Sequence, residues 1–138
     1  YMVKSPYVVE PSTLAREALE TMRELEIRHL PVVDESELVG LVSERDLNIA
    51  VAKRPETRIS ETMRTDLYTV APTSPLSEVI GQMIDQKVGS ALVVSEDEEI
   101  IGIFTTIDAL RMLYEMLDDD DEDLTLDDYF EDWSELAV

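Results

Sequence analysis

The chain is 138 residues long, 44% apolar and free of cysteine, and its 32 acidic against 11 basic side chains leave a net charge of −21. The length fits one domain or a tightly fused pair; the charge, with no basic stripe, excludes nucleic acid and anionic membranes as partners; the lack of thiols excludes disulfides and cysteine chemistry. The apolar runs at 91–94 and 100–104 are strand-sized, far short of a bilayer span, and no stretch reads as a signal peptide.

From the N-terminus, the first predicted element is a short extended stretch, Tyr7, Val8 and Val9, running into Pro11. A helix follows, with Thr13 as its N-cap and Ala15, Ala18, Leu19, Met22 and Leu25 as its apolar face. Two strands, 30–33 and 38–42, are joined by an acidic turn, and a second helix spans 45–52. Residues 1–54 form this first unit, and 55–60 read as a linker.

The second unit, 61–117, then restates the first. Met2, Tyr7, Val9 and Pro11 recur as Met63, Tyr68, Val70 and Pro72, and Glu17 and Met22 recur as Glu78 and Met83. Val32 and Val33 recur as Val93 and Val94, and after one extra residue within 96–99, Gly40 and Asp46 recur as Gly102 and Asp108. Its elements are an extended stretch at Tyr68, Thr69 and Val70, then a helix capped by Ser74 with Pro75 in its first position. Strands at 91–94 and 100–104 and a helix at 108–117 complete it. The residue pairing with Ile59 would fall before Tyr1, so the natural chain is expected to begin earlier.

Two repeats are too few for a solenoid. The order β-α-β-β-α, twice, predicts an α/β (α+β) fold: two half-domains closed face to face about a pseudo-two-fold axis. Strands this apolar imply sheets covered on both faces. The tail, 118–138, opens with six acids and continues with Leu126, Tyr129, Phe130, Trp133, Leu136 and Ala137 at helical spacing, a short amphipathic helix. It reads as a spacer with a segment that docks on its own domain, or as a contact for an unknown regulated protein.

The second hairpin strand of each unit ends in one motif. It reads Gly40-Leu41-Val42-Ser43-Glu44-Arg45-Asp46 in the first and Gly102-Ile103-Phe104-Thr105-Thr106-Ile107-Asp108 in the second. A hydroxyl N-cap with an acid three residues on is close to a capping box and needs no ligand. The same geometry suits a nucleotide. A helix N-terminus holds phosphate, Ser43 or Thr105 adds a donor, and Asp46 or Asp108 can accept both hydrogen bonds of a ribose diol. The glycine would let backbone approach the ligand closely.

The duplicated motif, together with Ile27-Arg28-His29-Leu30-Pro31-Val32-Val33-Asp34, resembles a CBS-domain pair over residues 1–117. This regulatory module is named after cystathionine beta-synthase. The resemblance implies two small sheets packed together with helices outside, and a sensor of adenosine ligands, AMP, ADP, ATP or S-adenosylmethionine, bound in clefts between the repeats, with no other cofactor. It implies that Asp46 and Asp108 hold ribose hydroxyls, that Ser43 and Thr105 touch phosphate, and that Arg28 and His29 are basic phosphate contacts. Tyr7, Val8, Val9, Tyr68, Thr69 and Val70 would lie along the adenine. By itself, His29 reads as a packing residue at a strand edge before it reads as a ligand contact.

The two copies differ where charge matters. Opposite Arg28 and His29 the second unit has Gly89 and Ser90, and opposite Glu44 and Arg45 it has Thr106 and Ile107. The first unit is therefore expected to meet a polyphosphate and the second a ligand of little charge or none. One histidine, no Ser-His-Asp set, no phosphate-binding Walker loop and no regular ligand spacing argue against an enzyme and a metal site. The alternative is a constitutive dimerisation or scaffold module with vestigial clefts. A homodimer is expected, because the second helix of each unit is apolar on more than one side. Three lysines in a chain acidic throughout point to the cytoplasm of a halophilic archaeon, where salt screens the self-repulsion.

Overall fold

The computed structural model describes residues 7–119 and 124–128. In chain order its elements are α1 (Ala15–Leu25), β1 (His29–Asp34), β2 (Glu37–Ser43), α2 (Glu44–Lys53), α3 (Ile59–Thr62), β3 (Thr69–Val70), α4 (Leu76–Gln86), β4 (Ser90–Val94), β5 (Ile100–Thr105) and α5 (Thr106–Asp118). The β-α-β-β-α order expected for each unit is present in the second, whereas the first lacks its opening strand; β1 is antiparallel to β2, β3 parallel to β4, and β4 antiparallel to β5.

The two sheets differ at their first strand, and Pro31 gives the reason. In the second unit Leu92 N–H donates to Tyr68 C=O at 2.9 Å, which starts the parallel ladder of β3 on β4. The equivalent of Leu92 is Pro31, which has no N–H, so the ladder cannot reach Tyr7. What remains is one bridge: Val9 N–H donates to Pro31 C=O at 3.0 Å and Val33 N–H donates to Val9 C=O at 2.9 Å. Residues 7–9 thus form no regular strand.

Alternation along the strands splits the core into three. Leu30, Val32 and Val42 face α1 and α2 with Ala18, Met22 and Leu47. Ala91 and Phe104 face α4 and α5 with Val79 and Met83. Between the sheets, Leu41, Leu92 and Ile103 meet in a third cluster that joins the two units. Both faces of each sheet are covered, as expected from strands so uniformly apolar.

The caps fall one residue later than the sequence suggests. Leu14, not Thr13, is the N-cap of α1, and Thr13 C=O instead accepts from Ile59 N–H at 2.9 Å. Pro75 is the N-cap of α4, and Ser74 Oγ accepts from Ala71 N–H at 3.1 Å in the preceding turn. Both helices end in a left-handed residue, Glu26 and Lys87, each with φ 56°. The hairpins differ by the extra residue. Glu35 and Ser36, both at positive φ, make a two-residue turn in the first, whereas 95–99 form a longer loop in the second.

The predicted linker is not a free tether. Thr57 C=O accepts from Ala15 N–H at 2.8 Å, and Ile59 is fully buried at the start of α3. Beyond α3 the chain adds an edge to the first sheet: Leu41 and Arg64 exchange N–H···O=C bonds, each 2.9 Å. Gly40 permits this approach. A Cβ there would lie 2.7 Å from Met63 Sδ and 3.0 Å from Arg64 C=O. Gly40→Ala is therefore expected to destabilise the fold by about 1–3 kcal/mol through overpacking, read as a lower denaturant midpoint.

In the tail, 126–128 form a helical turn that Thr125 caps by accepting from Asp128 N–H at 3.4 Å. Tyr129, Phe130, Trp133, Leu136 and Ala137 of the expected amphipathic helix lie outside the described residues. Among the described residues no helix is long and apolar enough to cross a membrane.

Candidate functional site

Each hairpin delivers its motif hydroxyl to the start of a helix, opposite the first residue of the partner strand. Ser43 pairs with His29, and Thr105 pairs with Ser90. Arg28 C=O accepts from Glu44 N–H at 2.8 Å, and Gly89 C=O accepts from Thr106 N–H at 3.0 Å. Ser43 Oγ accepts from Asp46 N–H at 3.1 Å, and Thr105 Oγ1 accepts from Asp108 N–H at 3.4 Å. The first and third N–H groups of α2 and α5 are therefore already held by the protein. The phosphate cradle expected from a bare helix end is reduced to the second N–H of each, on Arg45 and Ile107.

The two aspartates are in different states. Asp108 is 3% exposed, and its Oδ2 accepts from Thr105 N–H at 2.8 Å and from Thr105 Oγ1 at 3.0 Å. Arg111 Nη1 stands 3.9 Å from Oδ1. This is the reciprocal capping box, and it occupies the carboxylate. In α2 the N-cap bond runs only from Asp46 N–H to Ser43. Ile49 stands where the second unit has Arg111, so no cation holds the carboxylate one turn on. Asp46 is half-buried and its carboxylate carries no bond to the described residues.

His29, also half-buried, lies within electrostatic reach of both aspartates. Burial pushes its pKa below the ordinary 6.5, Asp108 and then Asp46 pull it up, and exposed Arg28 pushes it down. An unfolded chain then takes up the proton first. Stability is present above 6.5 and lost as pH falls from there toward the folded pKa. His29→Gln is expected to remove that component, so the stability difference between parent and variant should change across pH about 7.5 to 5.5. A constant difference in urea melts would contradict it.

The remaining predicted residues divide among different surfaces. Tyr7 and Val8 are 47% and 44% exposed, and Val9 is half-buried against Val32. Tyr68 and Ser90 line a gap of about 10 Å³ between the units, with Leu41, Arg64, Asp66 and Leu92. That is far below the roughly 300 Å³ at which small-molecule sites begin. Tyr68 and Val70 also border an outer groove of about 410 Å³ along α4, Thr69 is exposed, and Arg45 points to solvent on α2. Asp46 lies at one end of an open groove of about 500 Å³ between α2 and α3, which also carries Lys53, Arg54 and Thr57.

Arg64 is a residue that sequence reasoning missed. It brings a cation to the gap beside Tyr68 and Ser90, in the half that its own motif leaves without one. Only its long-range pairing with Leu41 puts it there, and no local pattern carries that signal. Among the described residues no group of three or more His, Asp or Glu could hold a metal ion.

Comparison with known proteins matches the CBS domain family model twice, at residues 1–53 and 59–115. The chain is 29% identical over 115 residues to a homoserine O-acetyltransferase of Methanohalobium evestigatum, covering 83% of this chain and 23% of that protein. The chain spans 14 to 37% of the length of the first curated relatives it matches. It is similar to the CBS domain pair of protein MJ0100, solved with 5′-methylthioadenosine and S-adenosyl-L-methionine. The TM-score is 0.74 at 27% identity, over 83% of this chain and 93% of that one. It is also similar to CBSX2 in complex with AMP, with a TM-score of 0.66 at 27% identity over 84% and 94% of the two chains.

Proposed function

The chain belongs to the CBS domain family, and from that premise we propose that it is a regulatory module which binds an adenosine-containing molecule between its two repeats. It is not an enzyme in this reading; filling the cleft changes the angle between the halves and passes the signal to an attached or associated protein. The observation that carries the proposal is the uncommitted carboxylate of Asp46 beside the Ser43-capped end of α2. In this reading Asp46 accepts a ribose diol, and Arg28, His29 and Arg45 supply the phosphate contacts. Ligands of AMP, ADP, ATP or S-adenosylmethionine type fit, and relatives of the same fold have been solved with such molecules.

The proposal sets the module in a cytoplasm of high salt and as a homodimer. The net charge of −21 supports the first, and the exposed apolar side of α5 supports the second. The scaffold alternative also has an observation in its favour: the gap at Tyr68 and Ser90 is nearly closed and Asp108 is occupied by its own cap. A melting scan in molar KCl separates them. A ligand at a hundred times its Kd adds about 2.7 kcal/mol to the folded state. The sensor reading expects AMP, ATP or S-adenosylmethionine to raise Tm by several degrees, whereas ribose 5-phosphate should not. No shift with any of the three leaves the scaffold reading.

A further inference from the structure

The seam between the two long helices of each unit is filled in the first and open in the second. In the first, Leu47 of α2 is fully buried among Ala18 and Met22 of α1. Ala109 stands at the equivalent place on α5, a methyl where the first unit has an isobutyl group. There α4 and α5 leave a groove of about 210 Å³ walled by Ile80, Met83, Ile84, Val88 and Ala109, with exposed Lys87 at its edge. Two surface positions change with it. Ile84, 69% exposed, stands in place of exposed Arg23, and Lys87 in place of exposed Glu26. The second unit therefore carries an apolar slot with a cation beside it, where the first carries a closed seam between an arginine and an acid.

We infer that this slot is the seat of the chain's own C-terminal segment, 126–137, with Phe130 and Trp133 as its anchors. Helical spacing puts Leu126, Tyr129, Phe130, Trp133 and Ala137 on one side of that segment and the acids at 127, 128, 131, 132 and 135 on the other. Anchors at i, i+3, i+4 and i+7 are the form in which an amphipathic helix enters a groove. The acids of the segment are attracted to Lys87, one of only three lysines, whereas Glu26 at the equivalent place in the first unit would repel them. The connection is long enough. From the end of α5 at Asp118 back to Ala109 is about 14 Å along the helix axis. The residues 119–125 can reach about 23 Å when extended, so the segment can return along α5 to the slot. Leu124 and Leu126, at its near end, are 61% and 74% exposed, apolar surface that seating takes from water. Seated there, the segment joins α4 to α5 as Leu47 joins α1 to α2, and it covers the back of the second motif, whose Thr106 also borders the slot. The seat is independent of whether a nucleotide binds at Asp46.

Trp133 is the only tryptophan, so its fluorescence reports the seat directly. On the full chain in molar KCl its emission is expected to lie to the blue of that in urea, with acrylamide quenching several-fold weaker. Ile84→Glu charges the wall of the slot, and Ala109→Leu fills it with the residue of the first unit. Each is expected to return emission and quenching toward the values in urea, while circular dichroism shows the chain still folded. A Trp133 that is fully quenched in the folded parent overturns the inference. A Trp133 that stays buried in both variants places the segment elsewhere and overturns it as well. A blue shift that fades on dilution overturns the intramolecular seat and assigns the slot to the segment of a second copy.

Discussion

Asp46→Ala is expected to weaken binding of an adenosine ligand by roughly 1.5–3 kcal/mol, the scale of hydrogen bonds to a charged group. That is about 10- to 150-fold in Kd. Folding should be almost untouched, because the cap bond of α2 runs through the Asp46 backbone N–H and not through its carboxylate. Asp108→Ala should behave the other way. It removes the acceptor of Thr105 N–H, bonded at 2.8 Å, and so costs about 1–3 kcal/mol of stability. Calorimetric titration and urea melts on the two variants test the assignment together. Equal ligand affinity in the parent and a folded Asp46→Ala variant would remove Asp46 from the site.

Leu92→Ala should produce the largest loss of stability, about 2–5 kcal/mol, by opening a cavity in the seam between the sheets. Leu92 is 1% exposed and packs with Leu41 and Ile103, one residue from each motif-bearing strand. The seam sets how the two units sit against each other, so the variant should also lose ligand affinity where it remains folded. A loss under 1 kcal/mol in urea melts would mean that the linker and the Arg64 edge, not the seam, hold the units together.

Much of this could be read from the chain because it depends on local spacing. The short continuous apolar runs of β2 and β5 and the helical spacing of Ala15, Ala18, Leu19 and Met22 locate the strands and the first helix. The offset between Val32 and Val93 shows that the same unit is built twice. The differences between the units were harder to see. Pro31 and Leu92 occupy equivalent positions and both look apolar, yet only Leu92 carries the N–H on which a third strand can form. Thr13 and Ser74 are good capping residues, but their neighbours take the caps because Thr13 is bonded to Ile59 and Ser74 to Ala71. Those partners depend on how the chain folds back, which local pattern does not encode.

The candidate site was legible as residue types but not as states. Gly40-to-Asp46 and Gly102-to-Asp108 look alike in sequence, and both do cap their helices. What separates a free carboxylate from an occupied one is whether the acid turns back to its own N-cap, and a cation one turn on, Arg111 against Ile49, accompanies the difference. The glycine expected to admit a ligand instead admits Met63 and Arg64 in the first unit. Arg64 itself, a cation at the boundary of the units, arrives there through strand pairing with Leu41.

The most direct test of the central claim is isothermal titration of the unmodified chain in molar KCl against AMP, ATP and S-adenosylmethionine in turn. Saturable binding of at least one of them is expected, dominated by a single site per chain at the Asp46 end of α2 and weakened about tenfold or more by Asp46→Ala. Absence of binding by all three to the folded chain would contradict it.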